Sequence, residues 1–316
     1  MPILTELSSL IVPYAGMILI IAVGILAARQ RVLTEERITF LSEIVIVLIL
    51  PIFTFWNAAT GSVMSVLNQA PWMIGLGLFG GLAGYVIASA LARLAHWDWA
   101  RRSVLQVSGV SGNTGFLGIP ICTAIYGSQG AILALLYDFG ATIYLLTIGM
   151  GAYQQNSTRP RGRAWLVTAI RQFCNPIFIS LLLGLGVALA KWDLPYVLKL
   201  PLESLSNTTI PLMMLILGGI IYNSAVKYRV DKHGVFLLGF LKLLILPGLT
   251  WLAVLFLPLS GVSSSVAIVE AAMPSAVMAV ALAARFGADE NLAASGTMVT
   301  TLLSILTIPL FAASAH

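Results

Sequence analysis

Residues 111–120 read Ser-Gly-Asn-Thr-Gly-Phe-Leu-Gly-Ile-Pro, a set suited to holding a small anion. Asn113 both donates and accepts hydrogen bonds, and so suits a carboxylate or a bound water. Gly112, Gly115 and Gly118 permit unusual dihedrals and close backbone approach. Pro120 has no amide hydrogen and suits the first turn of a half-helix that follows. That half-helix presents free N–H groups and a positive dipole end, which favour an anion. A second segment, Glu270-Ala-Ala-Met-Pro-Ser-Ala276, interrupts another apolar run. The substrate-binding set expected from both is Asn113, Thr114, Gly115, Pro120, Met273, Pro274 and Ser275. A plainer reading makes the first segment a glycine-rich packing notch with a kinking proline. The density of polar residues and the matching second break weigh against it.

Three ionisable side chains lie within apolar runs, where each costs about 2.5–3.5 kcal/mol at a helix centre. One reading makes Asp138 or Glu270 a proton or sodium site with a coupling role. Another pairs Asp138 with Lys242, at similar depth, as a neutralised structural bridge. Glu270 immediately precedes the second break, which favours a functional role. Glu43 reads as interfacial. Only His96, His233 and His316 are present, in loops or at the end, with no G-x-S-x-G and no acidic metal cluster. No catalytic residue, metal or cofactor is expected, and the chain does not read as an enzyme.

The elements that position these residues follow from composition. The 316 residues are 59% hydrophobic and 9% charged, against about 25% charged in average soluble domains. Apolar runs of about 20 residues recur throughout, each enough for one membrane-spanning helix. The expected class is an all-α polytopic membrane protein. The net charge of +5 is scattered over short loops and suggests no nucleic-acid partner. Cys122 and Cys174 read as small packing residues. The N-terminus lacks the basic region of a signal peptide, so the first span is expected to be retained.

Ten spans are expected, at about 8–28, 39–59, 72–94, 103–126, 131–152, 173–191, 204–224, 234–257, 264–285 and 292–313. All of the 17 basic residues except Lys191, Lys199 and Lys242 fall in the loops after spans one, three, five, seven and nine. The positive-inside rule then puts both termini outside. The halves are 1–152 and 173–316, five spans each, joined by a short cytoplasmic loop at 153–172. An odd number per half inverts one against the other. Pro51 and Pro211 are 160 residues apart, and the same offset carries Asn113-Thr114 onto Met273-Pro274. At about 1.5 Å per residue, each break lies about 15 Å from one end of its span, near the midplane. Irregular backbone survives at that depth only against protein or a water-filled cavity. Two broken helices, four and nine, crossing in an inverted repeat are the arrangement of a secondary transporter.

The Ser111–Pro120 segment resembles the signature of the auxin efflux carrier family, which includes plant PIN-type carriers and bacterial organic-acid carriers. Ala272-Met-Pro-Ser-Ala-Val277, Arg285-Phe-Gly-Ala-Asp289 and Thr300-Thr-Leu-Leu-Ser304 are similar to it as well. The resemblance covers nearly the whole chain. It implies the fold of bile-acid sodium symporters, with spans one, two, six and seven as a scaffold and three to five with eight to ten as a mobile domain. It also implies a homodimer through the scaffold and elevator-type alternating access. The short loop from about Tyr153 to Trp165 resembles that of a prokaryotic member. The third span lacks the aspartate of plant carriers, and Met273 stands where an asparagine would complete the symmetry.

The resulting expectation is a carrier of a small organic anion, such as a carboxylate or auxin-like compound, in the cell membrane. An ion channel or membrane sensor of the same fold is the alternative. Gly75-x-Gly77-x-x-Gly80 matches a dinucleotide fingerprint by letter, but no strand precedes it. With Gly81 and Gly84 it reads as a small-residue packing face. Asn57 and Thr208 could face substrate or bond between helices, and Met273 could line the cavity. Asn156-Ser157-Thr158 is a glycosylation sequon that the topology places inside.

Overall fold

The computed structural model describes residues 2–61, 66–156 and 175–314, with side chains from Tyr14 to Ala313. Most of the 153–172 loop, with Arg159, Arg161, Arg163 and Arg171, lies outside the described residues. So do Ser157 and Thr158 of the sequon, Cys174 and the start of the sixth expected span. Among the described residues the chain is helical, with one isolated β-bridge. The helices are α1 (Pro2–Arg29), α2 (Glu35–Thr60), α3 (Ala70–Leu94), α4 (Trp99–Val107), α5 (Thr114–Tyr153), α6 (Pro176–Leu189), α7 (Tyr196–Lys227), α8 (Lys232–Val254), α9 (Gly261–Ala271), α10 (Val277–Phe286) and α11 (Glu290–Ser314). Of these, α2, α3, α5, α7, α8 and α11 are long and apolar enough to cross a membrane. Within α5, Gly127 has φ 62° and ψ −151°, so the helix divides into arms 114–126 and 128–153.

Wide π-helical turns recur at Val45–Ile49, Thr114–Gly118 and Leu241–Ile245. Each of these three ends two residues before a proline, Pro51, Pro120 or Pro247, whereas a fourth such turn, Leu145–Gly149, has no proline close after it. Proline removes a helical hydrogen bond and its ring presses on the carbonyl four residues back. A wider turn just before it gives that ring room, and π turns are frequent at functional sites. Pro211, the sequence partner of Pro51, instead lies inside the uninterrupted helix α7. The 160-residue correspondence therefore does not extend to local geometry at this pair.

α1 packs along α7, and α6 along the second half of α2, while α7 also touches α2. On the other side, α5 packs on α3 and α9, the second half of α8 on α9, and α11 on α10. Glycines set the closest approaches. A Cβ on Gly24 would lie 2.2 Å from the Leu215 carbonyl oxygen, and one on Gly77 2.2 Å from that of Tyr137. This is how helices associate in lipid, where backbones approach across small residues. Gly77, Gly81 and Gly84 form the small-residue face of α3 against α5 and α8, whereas Gly75 faces open space. Apolar side chains such as Leu19, Val86, Phe236 and Leu306 remain largely exposed, as a lipid-facing surface requires.

Candidate functional site: the crossing of two interrupted helices

α4 starts on an Asp98 cap, whose carboxylate accepts from the Arg101 N–H at 3.0 Å. It stops at Val107, and helix resumes at Thr114. α9 starts on a Ser260 cap and stops at Ala271, and helix resumes at Val277. The two interruptions lie against one another, antiparallel. The Asn113 N–H donates to the Pro274 carbonyl at 2.7 Å, and the Ala276 N–H to the Ser111 carbonyl at 2.9 Å. Gly112 and Ser275 face each other between these bonds. Backbone groups released by each break are thus satisfied by the other, which an apolar interior demands.

The half-helix after the first break begins six residues earlier than the proline suggested. The Leu117 and Gly118 N–H groups both donate to the Asn113 carbonyl, at 3.0 and 3.2 Å. Pro120 sits, buried, in the first turn of the α-helix that continues from Ile119 after the Thr114–Gly118 π turn. Asn113 is 5% exposed, and its side-chain Nδ2 has no hydrogen-bond partner. Ser111 and Ser275 are also buried with unpartnered hydroxyls. Of the expected set only Thr114 lines the cavity at the crossing; Asn113, Gly115, Pro120, Pro274 and Ser275 do not, and Met273 is fully buried in the main hydrophobic core.

The crossing also gathers the ionisable groups. The Thr114 hydroxyl donates to the Asp138 carboxylate from the second arm of α5. Gly115 leaves room for that carboxylate, since a Cβ there would lie 3.7 Å from its Oδ1. Glu270 is fully buried, accepts from the Cys122 thiol at 3.5 Å, and leaves Oε2 unpartnered. Gly118 lies directly against it: a Cβ there would be 2.2 Å from Oε2 and 2.5 Å from Oε1.

Lys242, on α8, donates from Nζ to the Ala271 carbonyl at 2.8 Å. It forms no ion pair within 4.0 Å with Asp138, so the expected Asp138–Lys242 bridge is absent. The reason is rotation: the carboxylate turns to Thr114, while the ammonium reaches the open end of α9. Asn57 and Thr208 bond within their own helices, to the Phe53 and Leu205 carbonyls.

Two cavities adjoin the crossing. One, of about 20 Å³, is lined by Ser111, Gly112, Tyr137, Lys242 and Glu270, among others. The other, of about 40 Å³, lies between α2, α5 and α6, with Thr54, Asp138, Asn175 and Phe178 in its wall. About 10–15 Å³ suffices for one water, so the first accepts a water and is too small for an organic anion. Thr300 was not expected in a positioning role. Its hydroxyl accepts from the Ser275 N–H at 3.2 Å and donates to the Gly296 carbonyl at 2.8 Å, bracing the second break from α11. Its signal in the sequence was its place at the head of the family-similar Thr300-Thr-Leu-Leu-Ser304 segment, which carried no positional role by itself.

Residues 9–312 match the family described as membrane transport protein. The chain belongs to this family, the auxin efflux carriers. This membrane transport protein is 28% identical over 300 residues to an "Uncharacterized transporter" of Methanothermobacter thermautotrophicus, covering 94% of this chain and 95% of that one. It is 26% identical over 304 residues to another transporter so named, from Methanocaldococcus jannaschii, covering 93% and 95%. A Rhizobium meliloti protein named "Putative malonate transporter" is 23% identical over 312 residues, covering 96% of this chain and 94% of that one. Family and apolar helices together make the chain an integral membrane protein.

Proposed function

We propose that this membrane transport protein is a secondary carrier of a small organic anion, with its site where the two interruptions cross. One observation carries the reading. The half-helices that resume at Thr114 and Val277 both begin at this crossing, beside the buried, unpartnered Asn113 amide. Free N–H groups and positive dipole ends at one point favour a carboxylate. Asn113, Thr114, Gly115, Pro120, Met273, Pro274 and Ser275 form or support the site. The malonate in the name of the Rhizobium relative supports a dicarboxylate as cargo.

The fold is read as ten crossings in two inverted repeats of five, 1–152 and 173–316. α4 with the first arm of α5 makes the fourth crossing, and α9 with α10 the ninth. α1, α2, α6 and α7 act as the scaffold and dimer face, and the remaining helices as an elevator carrying the site. The 20 Å³ cavity fits a conformation closed on the site. Both termini face outward from the cell membrane.

Counterflow in proteoliposomes tests the function. Labelled malonate should accumulate transiently against its gradient when unlabelled malonate is loaded inside. Simple equilibration would indicate a channel, and no flux of any carboxylate would sink the carrier reading.

Glu270 and Asp138 are the coupling groups in this reading, binding a proton or sodium. Glu270→Gln keeps the shape and removes the titratable charge, so uptake should lose its dependence on pH or sodium. Uptake measured across a pH series at fixed sodium, and the reverse, checks this. Dependence surviving unaltered in Glu270→Gln would move the coupling role elsewhere.

A further inference from the structure

The end of α9 has the makings of a cation site. Its last residue, Ala271, has a carbonyl that receives no backbone N–H among the described residues. A helix C-terminus carries about half a negative charge, and the fully buried Glu270 carboxylate adjoins it with Oε2 unpartnered. The Ser111 hydroxyl, also unpartnered, lines the same cavity. Carbonyl, carboxylate and hydroxyl oxygens are the ligands a hard cation takes.

An amine is already there, covalently attached to the chain. Lys242 is 2% exposed, and its Nζ donates to the Ala271 carbonyl at 2.8 Å. It lines the same cavity as Glu270. Gly112 makes room for the ammonium, since a Cβ there would lie 3.3 Å from Nζ. An ammonium has three donors, and the Ala271 bond uses one, leaving the others for the cavity. An uncompensated ammonium in an apolar interior is costly, so burial at this place follows from the negative charge around it.

We propose that Lys242 is a tethered cation occupying a site that would otherwise take a free sodium ion, so that this centre binds none. The protein would then run without sodium at Glu270, and a proton is the remaining ion for that carboxylate. The consequence for coupling rests on the carrier reading, whereas occupancy of the site does not.

Sodium binding to the full-length chain in detergent tests this without any transport assay. Tm is measured in sodium chloride and in choline chloride at equal ionic strength. A ligand that binds only the folded state raises Tm by mass action. The wild-type chain should show no sodium-specific rise. Lys242→Ala, with the ammonium removed and the cavity enlarged, should gain a rise of at least about 2 °C at saturating sodium. Lys242→Gln, which retains bulk, serves if the alanine variant does not fold. Adding Glu270→Gln to either variant should abolish the rise. A sodium-specific rise in the wild type overturns the proposal, as does its absence from a folded neutral variant. If neither variant folds, equilibrium dialysis of the wild type against radiolabelled sodium decides: retention overturns the proposal, and none upholds it. Failure of counterflow would sink the carrier reading and leave these results standing.

Discussion

Replacing Asn113 with alanine is expected to weaken substrate binding and uptake by about 10- to 100-fold, without lowering Tm. The binding loss corresponds to one hydrogen bond to a charged group, about 1.5–3 kcal/mol, at 1.4 kcal/mol per factor of ten. Stability runs the other way. The Asn113 Nδ2 is buried without a partner, and an unsatisfied buried donor costs about 1–3 kcal/mol. Removing it should leave Tm unchanged or raise it. The backbone bonds at this position, to Pro274 and from Leu117 and Gly118, do not involve the side chain. In the proposed site the amide is a group held ready for a ligand at the fold's expense. Uptake assays paired with thermal unfolding separate the outcomes. Normal uptake by Asn113→Ala would remove it from the site, and a parallel fall in Tm would make it structural.

Gly118→Ala is expected to be damaging, and Gly115→Ala mild, although the two glycines stand three residues apart in one motif. A Cβ on Gly118 would lie 2.2 and 2.5 Å from the Glu270 carboxylate oxygens. No two non-bonded heavy atoms of this kind sit so close, so the carboxylate must leave its place beside Cys122, or the half-helix must shift. Overpacking of this kind costs about 1–3 kcal/mol, and here it also displaces the proposed coupling group. The methyl at Gly115 meets Asp138 Oδ1 at 3.7 Å, an ordinary contact. The helical backbone at both positions favours alanine over glycine by about 1 kcal/mol, an equal term that leaves the contrast to the side-chain contacts. Gly118→Ala should lower Tm and uptake together, whereas Gly115→Ala should hold or raise Tm. Equal Tm for the two variants would contradict the contact between Gly118 and Glu270.

The two helix interruptions could be read directly. The interruptions at Asn113 and Pro274 stand out because glycine, proline and polar residues weaken a helix in lipid, so their clustering inside an apolar run marks a break. Partner choice was less legible. Asp138 and Lys242 lie at similar depth along their helices, so depth alone made them a plausible pair. In the fold Asp138 meets Thr114, while Lys242 caps α9. Depth is counted along a helix, but contact depends on its rotation about its own axis. That rotation is set by all its neighbours at once, here by close glycine contacts such as Gly77 on Tyr137. The same limit hid Thr300, which reaches Ser275 across 25 residues.

Composition and local order were enough to establish a helical membrane protein, the places where its helices break, and the family signature it carries. These properties sum along the chain and are indifferent to how helices turn. Packing in three dimensions was needed to learn that the two breaks bond to one another, that Gly118 abuts Glu270 while Gly115 does not, and that Lys242 seals the end of α9. Those facts depend on side chains distant in sequence meeting in a low-dielectric interior. There each unpaired polar group is costly, and geometry selects the partner that removes the cost.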